Sequence, residues 1–209
     1  EFYLNGRTGL LMLPRGHSKS SILDVFNAWV IYCWPSTQIL HQGTTDADAY
    51  KCSKGTRDVL ERHPLCIGNP NVAIRQGEIE RWFVEGTPDV RYGTMLAKGI
   101  LSGVTGHRAH FIQNDDVETP QTTANPEQRE KLPKKLSEQT HIAIPGATRL
   151  WIGTPHTHDS LYEQIKKQRT VSKLILQMFE KEKRFEDSCK GKTVLLDFEP
   201  ITAFSGLGV

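Results

Sequence analysis

An apolar run at positions 8–13 (TGLLML) is too short for a helix and reads as a buried strand. The loop Pro14-Arg15-Gly16-His17 follows it. Ile22, Val25, Phe26, Trp29 and Val30 then recur at helical spacing, which predicts a helix over 18–34 that Pro35 ends. A second short strand is expected at 38–41, and a helix over 46–61 with Thr45 or Asp46 as its cap. This β-α-β-α alternation predicts a three-layer α/β sandwich around a mainly parallel central sheet.

The middle of the chain carries a weaker pattern. Segments 81–85 and 89–92 read as strands of an antiparallel hairpin, and Gly99, Gly103 and Gly106 mark turns. Segment 110–114 is a strand whose end meets Asp115. A polar, exposed helix is expected over 125–138, kinked or broken by Pro133. A strand at 149–152 runs into Gly153-Thr154-Pro155, and a helix starts at Ser160. Beyond it, 172–183 is amphipathic, 192–198 reads as a strand, and the last residues read as disordered.

Length changes the picture little: 209 residues suffice for one domain with a core and are too few for two generous ones. The expected division is a motor domain over 1–170 and a C-terminal extension or linker over 171–209. Without an initiator Met, the chain reads as a fragment. The net charge of +2 permits nucleic-acid contact without arguing for it. Cys33, Cys52, Cys66 and Cys189 form no C-x-x-C pair, which argues against a disulfide framework or a zinc site and fits a reducing cytosol. No apolar run is long enough to span a bilayer.

The first candidate chemistry lies between the first strand and the first helix. Backbone N–H groups at a helix N-terminus surround phosphate oxygens, a Lys adds a point charge, and the next hydroxyl can ligate Mg²⁺. LPRGHSKSS supplies Lys19 and Ser20 at those places, with Arg15, Gly16, His17, Ser18 and Ser21 completing the loop. Leu13 and Ser18 stand where the common pattern has glycines, so a plain helix start capped by Ser18 or Ser20 is the competing reading.

The second candidate is HFIQNDDVE, which sets Asp115, Asp116 and Glu118 at a strand end. Phosphoanhydride hydrolysis needs one carboxylate on the metal side and another to orient and deprotonate water. An exposed acidic turn is the alternative. The third is Thr154, after the strand at 149–152, where a hydroxyl can sense the outer phosphate. Each of the three lies at the C-terminal edge of a predicted strand, where open α/β sheets bind ligands.

The segments TGHRAHFIQNDDVETP, ANPEQREKL and IPGATRLWIGTPHTHDSLYEQI, with LPRGHSKSS upstream, resemble the terminase large subunits of short-tailed coliphages and related prophages. The resemblance covers positions 8–165 and implies a P-loop NTPase of the ASCE, or RecA-like, type that hydrolyses ATP with Mg²⁺. It further implies packaging of double-stranded DNA into a procapsid in the host cytoplasm. The implied partners are the portal protein, the small terminase subunit and other copies in a ring, with a monomer in isolation. By position, residues 15–21 would bind nucleotide, Ser20 and Asp115 the metal. Arg15 and Lys19 would stabilise developing charge, Asp116 would be the base with Glu118 as the alternative, and Thr154 would couple hydrolysis to movement.

The resemblance has departures. Ser18 replaces the glycine before Lys19, and Gln113 and Asn114 put amides where the acidic strand is usually apolar. They leave room for a remnant that folds or binds nucleotide or DNA without turnover; a helicase-like P-loop ATPase is the other rival. The family's nuclease domain is not expected, since the forty or so residues after Ile165 are too few for it. The stretch at 195–199 reads as a plain strand, and His156, His158 and Asp159 as polar loop residues. Trp29, Trp34, Trp82 and Trp151 are expected in the core or at subunit contacts. Lys131, Lys134 and Lys135 form a basic group on the polar helix that could touch DNA or simply face solvent.

Overall fold

A computed structural model describes residues 8–13, 18–119, 126–153 and 160–175. Its elements in chain order are β1 (Thr8–Met12), α1 (Lys19–Cys33), β2 (Ile39–Gly43), α2 (Asp46–Arg62), a 3₁₀ turn (Pro70–Val72), β3 (Ile74–Gly77), β4 (Arg81–Val84), β5 (Met95–Gly99), β6 (Ala109–Asp115), α3 (Pro126–Ile142), β7 (Ala143–Gly153), α4 (Leu161–Lys167) and β8 (Val171–Ile175). The strands form one sheet in the order β3-β4-β5-β2-β6-β7-β1-β8. From β5 to β8 every neighbouring pair is parallel, and only β4 is reversed, pairing antiparallel with β3 and β5.

Strand alternation assigns each helix a face. Leu150 and Ile152 of β7 join Leu23, Val30 and Ile31 of α1 and Cys52 and Leu60 of α2 in one core. Trp151, between them, turns the other way and packs with Leu10, Leu132 of α3, and Tyr162 and Ile165 of α4. A third cluster, Leu40, Leu96, Ala109, Ile112 and Ile142, continues that second layer. The three-layer α/β architecture with a mainly parallel sheet is therefore present. Each fully buried large apolar side chain in these layers contributes ~1.5–3 kcal/mol.

Three local expectations are corrected. Segment 89–92 is not a strand: the Asp89 carboxylate accepts the backbone N–H groups of Arg91 and Tyr92 and folds the segment into a turn. The hairpin partner of β4 is instead β3, and β5 closes its other edge. Helix α3 runs unbroken through Pro133 to Ile142, because Leu132 and Ile142 anchor it against the sheet. Nor is α3 wholly exposed, since Gln139 is buried to 1%.

Position 171 opens a strand that pairs with β1 along its whole length, so the sheet runs five residues past the boundary expected at 170. The rest of the amphipathic stretch and the strand at 192–198 lie outside the described residues. Among the described residues no helix is long and apolar enough to cross a membrane. Trp82 and Trp151 are core residues, whereas Trp29 and Trp34 meet edge to face at 5.7 Å on the exposed side of α1.

Candidate functional site

The strand order sets the site. β7 is inserted between β1, which precedes α1 and Lys19, and β6, which carries the acidic pair. Parallel register aligns the C-terminal ends: Met12 is level with Gly153, and Asp115 with Ile152. The backbone N–H of Asp116 then donates to the Ile152 carbonyl at 2.9 Å, so the acidic turn folds over the end of β7. Across that strand Lys19 Nζ reaches Asp116 Oδ2 at 3.6 Å. Residues ninety-seven positions apart thus meet at one sheet edge. The Lys19 side chain is 10% exposed and that of Asp116 44%, so the contact is covered on the lysine side and open to water on the carboxylate side.

Lys19 opens α1 and Ser20 follows in its first turn. Ser18 precedes them in the left-handed region, at φ 52° and ψ 30°, and its side chain makes no capping hydrogen bond. The conformation is one that glycine adopts freely and a residue with a Cβ adopts at a cost of ~1–2 kcal/mol. Ser18 therefore occupies a glycine-like backbone position, and its own hydroxyl does not cap the helix. Ser18, Ser20 and Ser21 are exposed at the helix start. Arg15, Gly16 and His17 lie outside the described residues.

Asp115 and Asp116 differ in environment. Burial, and then the neighbouring Asp116 carboxylate, push the Asp115 carboxyl up to about 7; Lys19 opposes this, while Asp24 and Asp48 add to it. Asp116 is the more exposed, and it sits at φ 45°, a second strained position in the same edge. Thr44, at the end of β2, donates its hydroxyl to the Asp116 carbonyl at 2.6 Å and holds the turn from the other side. Asp115 and Asp116 thus lie together beside one lysine, a concentration of negative charge that a divalent cation would relieve.

The donor set fits Mg²⁺ rather than a protein-caged metal. Among the described residues there is no group of three or more His, Cys, Asp or Glu poised to hold one ion. Mg²⁺ takes one or two protein ligands and fills its octahedron with water and phosphate oxygens. Asp115 at the strand end and the Ser20 hydroxyl in the first turn of α1 are oxygen donors of the type that ion takes.

Glu118 is placed differently. It is buried, and its Oε2 accepts the backbone N–H of Leu161 at 2.6 Å, at the N-terminus of α4. Ser160 caps the same helix by accepting from the Glu163 N–H at 3.1 Å. Tyr162 binds both strand ends: its hydroxyl donates to the Ile152 carbonyl at 3.0 Å and accepts from the Val117 N–H at 3.1 Å. Its ring lies where a side chain at 153 would be, since a Cβ there would come within 2.3 Å of Tyr162 Cζ. Only glycine allows this packing. Thr154, His156, His158 and Asp159 lie outside the described residues.

Several buried polar residues near the site had no assigned role in the sequence. Asn27, His41, Gln42, Gln113, Asn114 and Gln139 are all 0–1% exposed. They form two groups on opposite faces of β6. Gln113 pairs with Asn27 and His41 on the α1 side; Asn114 and Gln42 pair with Gln139 of α3 on the other. The signal was two adjacent amides in a central strand: successive residues point to opposite faces, so both had to be buried and both needed partners.

No family model matches the chain. Comparison with curated proteins finds the terminase large subunit of Enterobacteria phage T3, 27% identical over 186 residues, which covers 88% of this chain. The chain spans about a third (32%) of that relative's length. Among solved structures, the large terminase ATPase domain of Thermus phage P74-26 superposes with a TM-score of 0.50 at 14% identity, covering 82% of this chain and 75% of that one. An alanine variant of the same domain gives a TM-score of 0.50 at 15% identity, with 83% and 77% covered. The chain is thus similar to a phage terminase large subunit over most of its length, and its fold is that of a large terminase ATPase domain.

Proposed function

We propose that this chain is the motor of a DNA-packaging machine, hydrolysing ATP with Mg²⁺ to drive double-stranded viral DNA into a procapsid. The observation that carries the reading is the meeting of Lys19 and Asp116 across β7 at the C-terminal sheet edge. A salt bridge between exposed loops would carry little weight. This one joins the first helical turn after β1 to the acid-bearing end of β6, where a triphosphate and an attacking water would have to lie together.

The residues divide the work. Backbone N–H groups at the start of α1 face the phosphates, and the Lys19 ammonium neutralises charge that builds on the transferred group. Mg²⁺, held through Ser20 and Asp115, would supply further neutralisation of the phosphate oxygens. Asp116 is the base: it is accessible, it lies against Lys19, and its carboxylate can orient a water and accept its proton. Glu118 is engaged at the start of α4 and is assigned a structural role. Residues 15–17 belong to the same loop, with Arg15 adding positive charge, and Thr154 carries the signal of hydrolysis away from the end of β7.

Partners follow from the relationship to terminases: DNA, a portal protein, a small terminase subunit and further copies of the chain in a ring, in the host cytoplasm. The motor fold comprises the sheet through β8, and the segment after it is an extension or linker.

The test is a Mg²⁺-dependent ATP-binding titration with a phosphate-release assay, comparing the wild type with Lys19→Ala. Binding and release that depend on Lys19 are expected. Equal affinity in the two proteins would end the assignment.

A further inference from the structure

Gln113 and Asn27 exchange two hydrogen bonds in the core. Asn27 Nδ2 donates to Gln113 Oε1 at 3.2 Å, and Gln113 Nε2 donates to Asn27 Oδ1 at 2.6 Å. Both residues are 0% exposed. His41 Nδ1 lies 3.2 Å from Gln113 Oε1. Because Oε1 is an acceptor, that nitrogen carries the ring proton. Asn27 Nδ2 also reaches Thr56 Oγ1 at 3.4 Å and Cys52 Sγ at 3.6 Å on α2. One amide pair therefore joins α1, α2, β2 and β6.

The place of the pair matters more than its strength. Gln113 lies two residues before Asp115, so both point to the α1 side of the sheet. Asn27 lies eight residues after Lys19 on α1, roughly 12 Å along its axis at the usual rise. The helix is thus tied to the acidic strand twice, at its start by Lys19 and Asp116 and two turns on by the amides. One contact leaves a helix free to pivot; two fix its rotation and its axial position. Reciprocal amides are satisfied in only one relative orientation, whereas two apolar side chains tolerate a range of them.

Stability alone gives little reason for amides here. Well-packed apolar residues of similar volume would fill the space without the desolvation cost. We propose that Gln113 and Asn27 are positioning residues for the hydrolytic reaction: the pair locks α1 against β6 and so sets the distance between Lys19 and the two aspartates. This rests on the ATPase reading above.

The test separates locking from filling. The double variant N27L/Q113M replaces both amides with apolar groups of matching size and leaves neither member of the pair stranded. The swap variant N27Q/Q113N keeps two facing amides of the same combined length, and Gln113→Asn alone shortens one side. Steady-state ATP hydrolysis, Mg²⁺ half-saturation and thermal unfolding are measured on the 209-residue chain. The expected result is that the apolar double variant remains folded but unfolds at a somewhat lower temperature, because the buried His41 Nδ1–H loses its acceptor. Its kcat should nevertheless fall roughly ten- to a hundredfold, with KM for ATP little changed and more Mg²⁺ required. Gln113→Asn should lose kcat in the same direction, and the swap should recover most of it. A folded apolar double variant with wild-type kcat overturns the proposal. Should that variant fail to fold, Gln113→Asn with unaltered kcat overturns it equally. A wild type that does not hydrolyse ATP removes the ATPase reading itself, and is distinct from both results.

Discussion

Glu118 Oε2 accepts a hydrogen bond from the Leu161 backbone N–H at 2.6 Å, so the acidic strand end is fastened to the helix that follows β7. A carboxylate at a helix N-terminus satisfies an orphan donor and complements the helix dipole. Glu118→Ala should therefore act on stability, lowering it by ~1–2 kcal/mol. Asp116→Asn should leave the unfolding midpoint nearly unchanged and reduce ATP hydrolysis by roughly a hundredfold or more. Denaturant melts and phosphate-release rates on both variants decide the matter. A stable Glu118 variant without hydrolysis would transfer the role of base to Glu118.

Tyr162 and Gly153 form the second link between the same two strand ends. Tyr162→Phe leaves the Val117 N–H without its acceptor in a buried site, and should destabilise by ~1–3 kcal/mol. Gly153→Ala should cost at least as much, because the new Cβ would meet the Tyr162 ring at 2.3 Å. Their double variant tests whether the effects share one origin. Simple additivity would mean that the two residues act independently.

Ser18 adopts φ 52° with no side-chain capping bond in return. Ser18→Gly relieves the strain of a Cβ in the left-handed region while making the unfolded chain more flexible. The net expectation is a gain of ~0.5–1 kcal/mol, read as a rise in melting temperature. Nucleotide affinity should be retained or improved. A loss of stability would show that the Ser18 side chain makes a favourable contact.

His41 and Asp24 give stability opposite dependences on pH. Burial, opposed by the Gln113 hydrogen bond, lowers the His41 pKa from 6.5 to about 4. The unfolded chain therefore takes up this proton first, and stability held above pH 6.5 is lost as pH falls toward 4, by up to ~3 kcal/mol. Asp24 moves the other way. Burial raises its pKa from 3.8 to about 6, the Cys52 contact opposes this, and Asp58 adds to it. The native state then binds the proton first, so stability is gained as pH falls from 6 to 3.8. Asp24 is only partly buried, and solvent screening keeps its effect below ~1 kcal/mol. Asp115, whose carboxyl is pushed up to about 7, adds a gain of the same sign as Asp24. Urea unfolding at pH 7.5 and 4.5 is therefore read by difference: the change on acidification should be more favourable in His41→Gln than in the wild type, and less favourable in Asp24→Asn. Equal changes in His41→Gln and wild type would rule out a contribution from His41.

Local pattern was enough to read the extent of α1 but not its buried face, since Ile22, Val25 and Trp29 are exposed while Leu23, Val30 and Ile31 are buried; it also gave the start of α2, expected at Thr45 or Asp46 and found with the Thr45 side chain accepting the Asp48 N–H at 3.2 Å, and the strand leading to Asp115. These depend on periodicity, on N-cap chemistry and on short apolar runs, all properties of a few neighbouring residues. The same information placed Lys19 at the start of a helix and Asp115 and Asp116 at a strand end. Segment 89–92 misled, because a carboxylate collecting two backbone N–H groups folds a strand-like sequence into a turn. Pro133 misled as well, because packing at Leu132 and Ile142 outweighs the hydrogen bond that proline removes. Strand order is not a local property. The insertion of β7 between β1 and β6, the meeting of Lys19 with Asp116, the turning of Glu118 toward Leu161, and the pairing of Gln113 with Asn27 all join segments tens of residues apart. Such contacts arise when whole layers pack and every buried polar group must find a partner. Short stretches of chain carry the types of residue needed; the packed sheet chooses which of them meet.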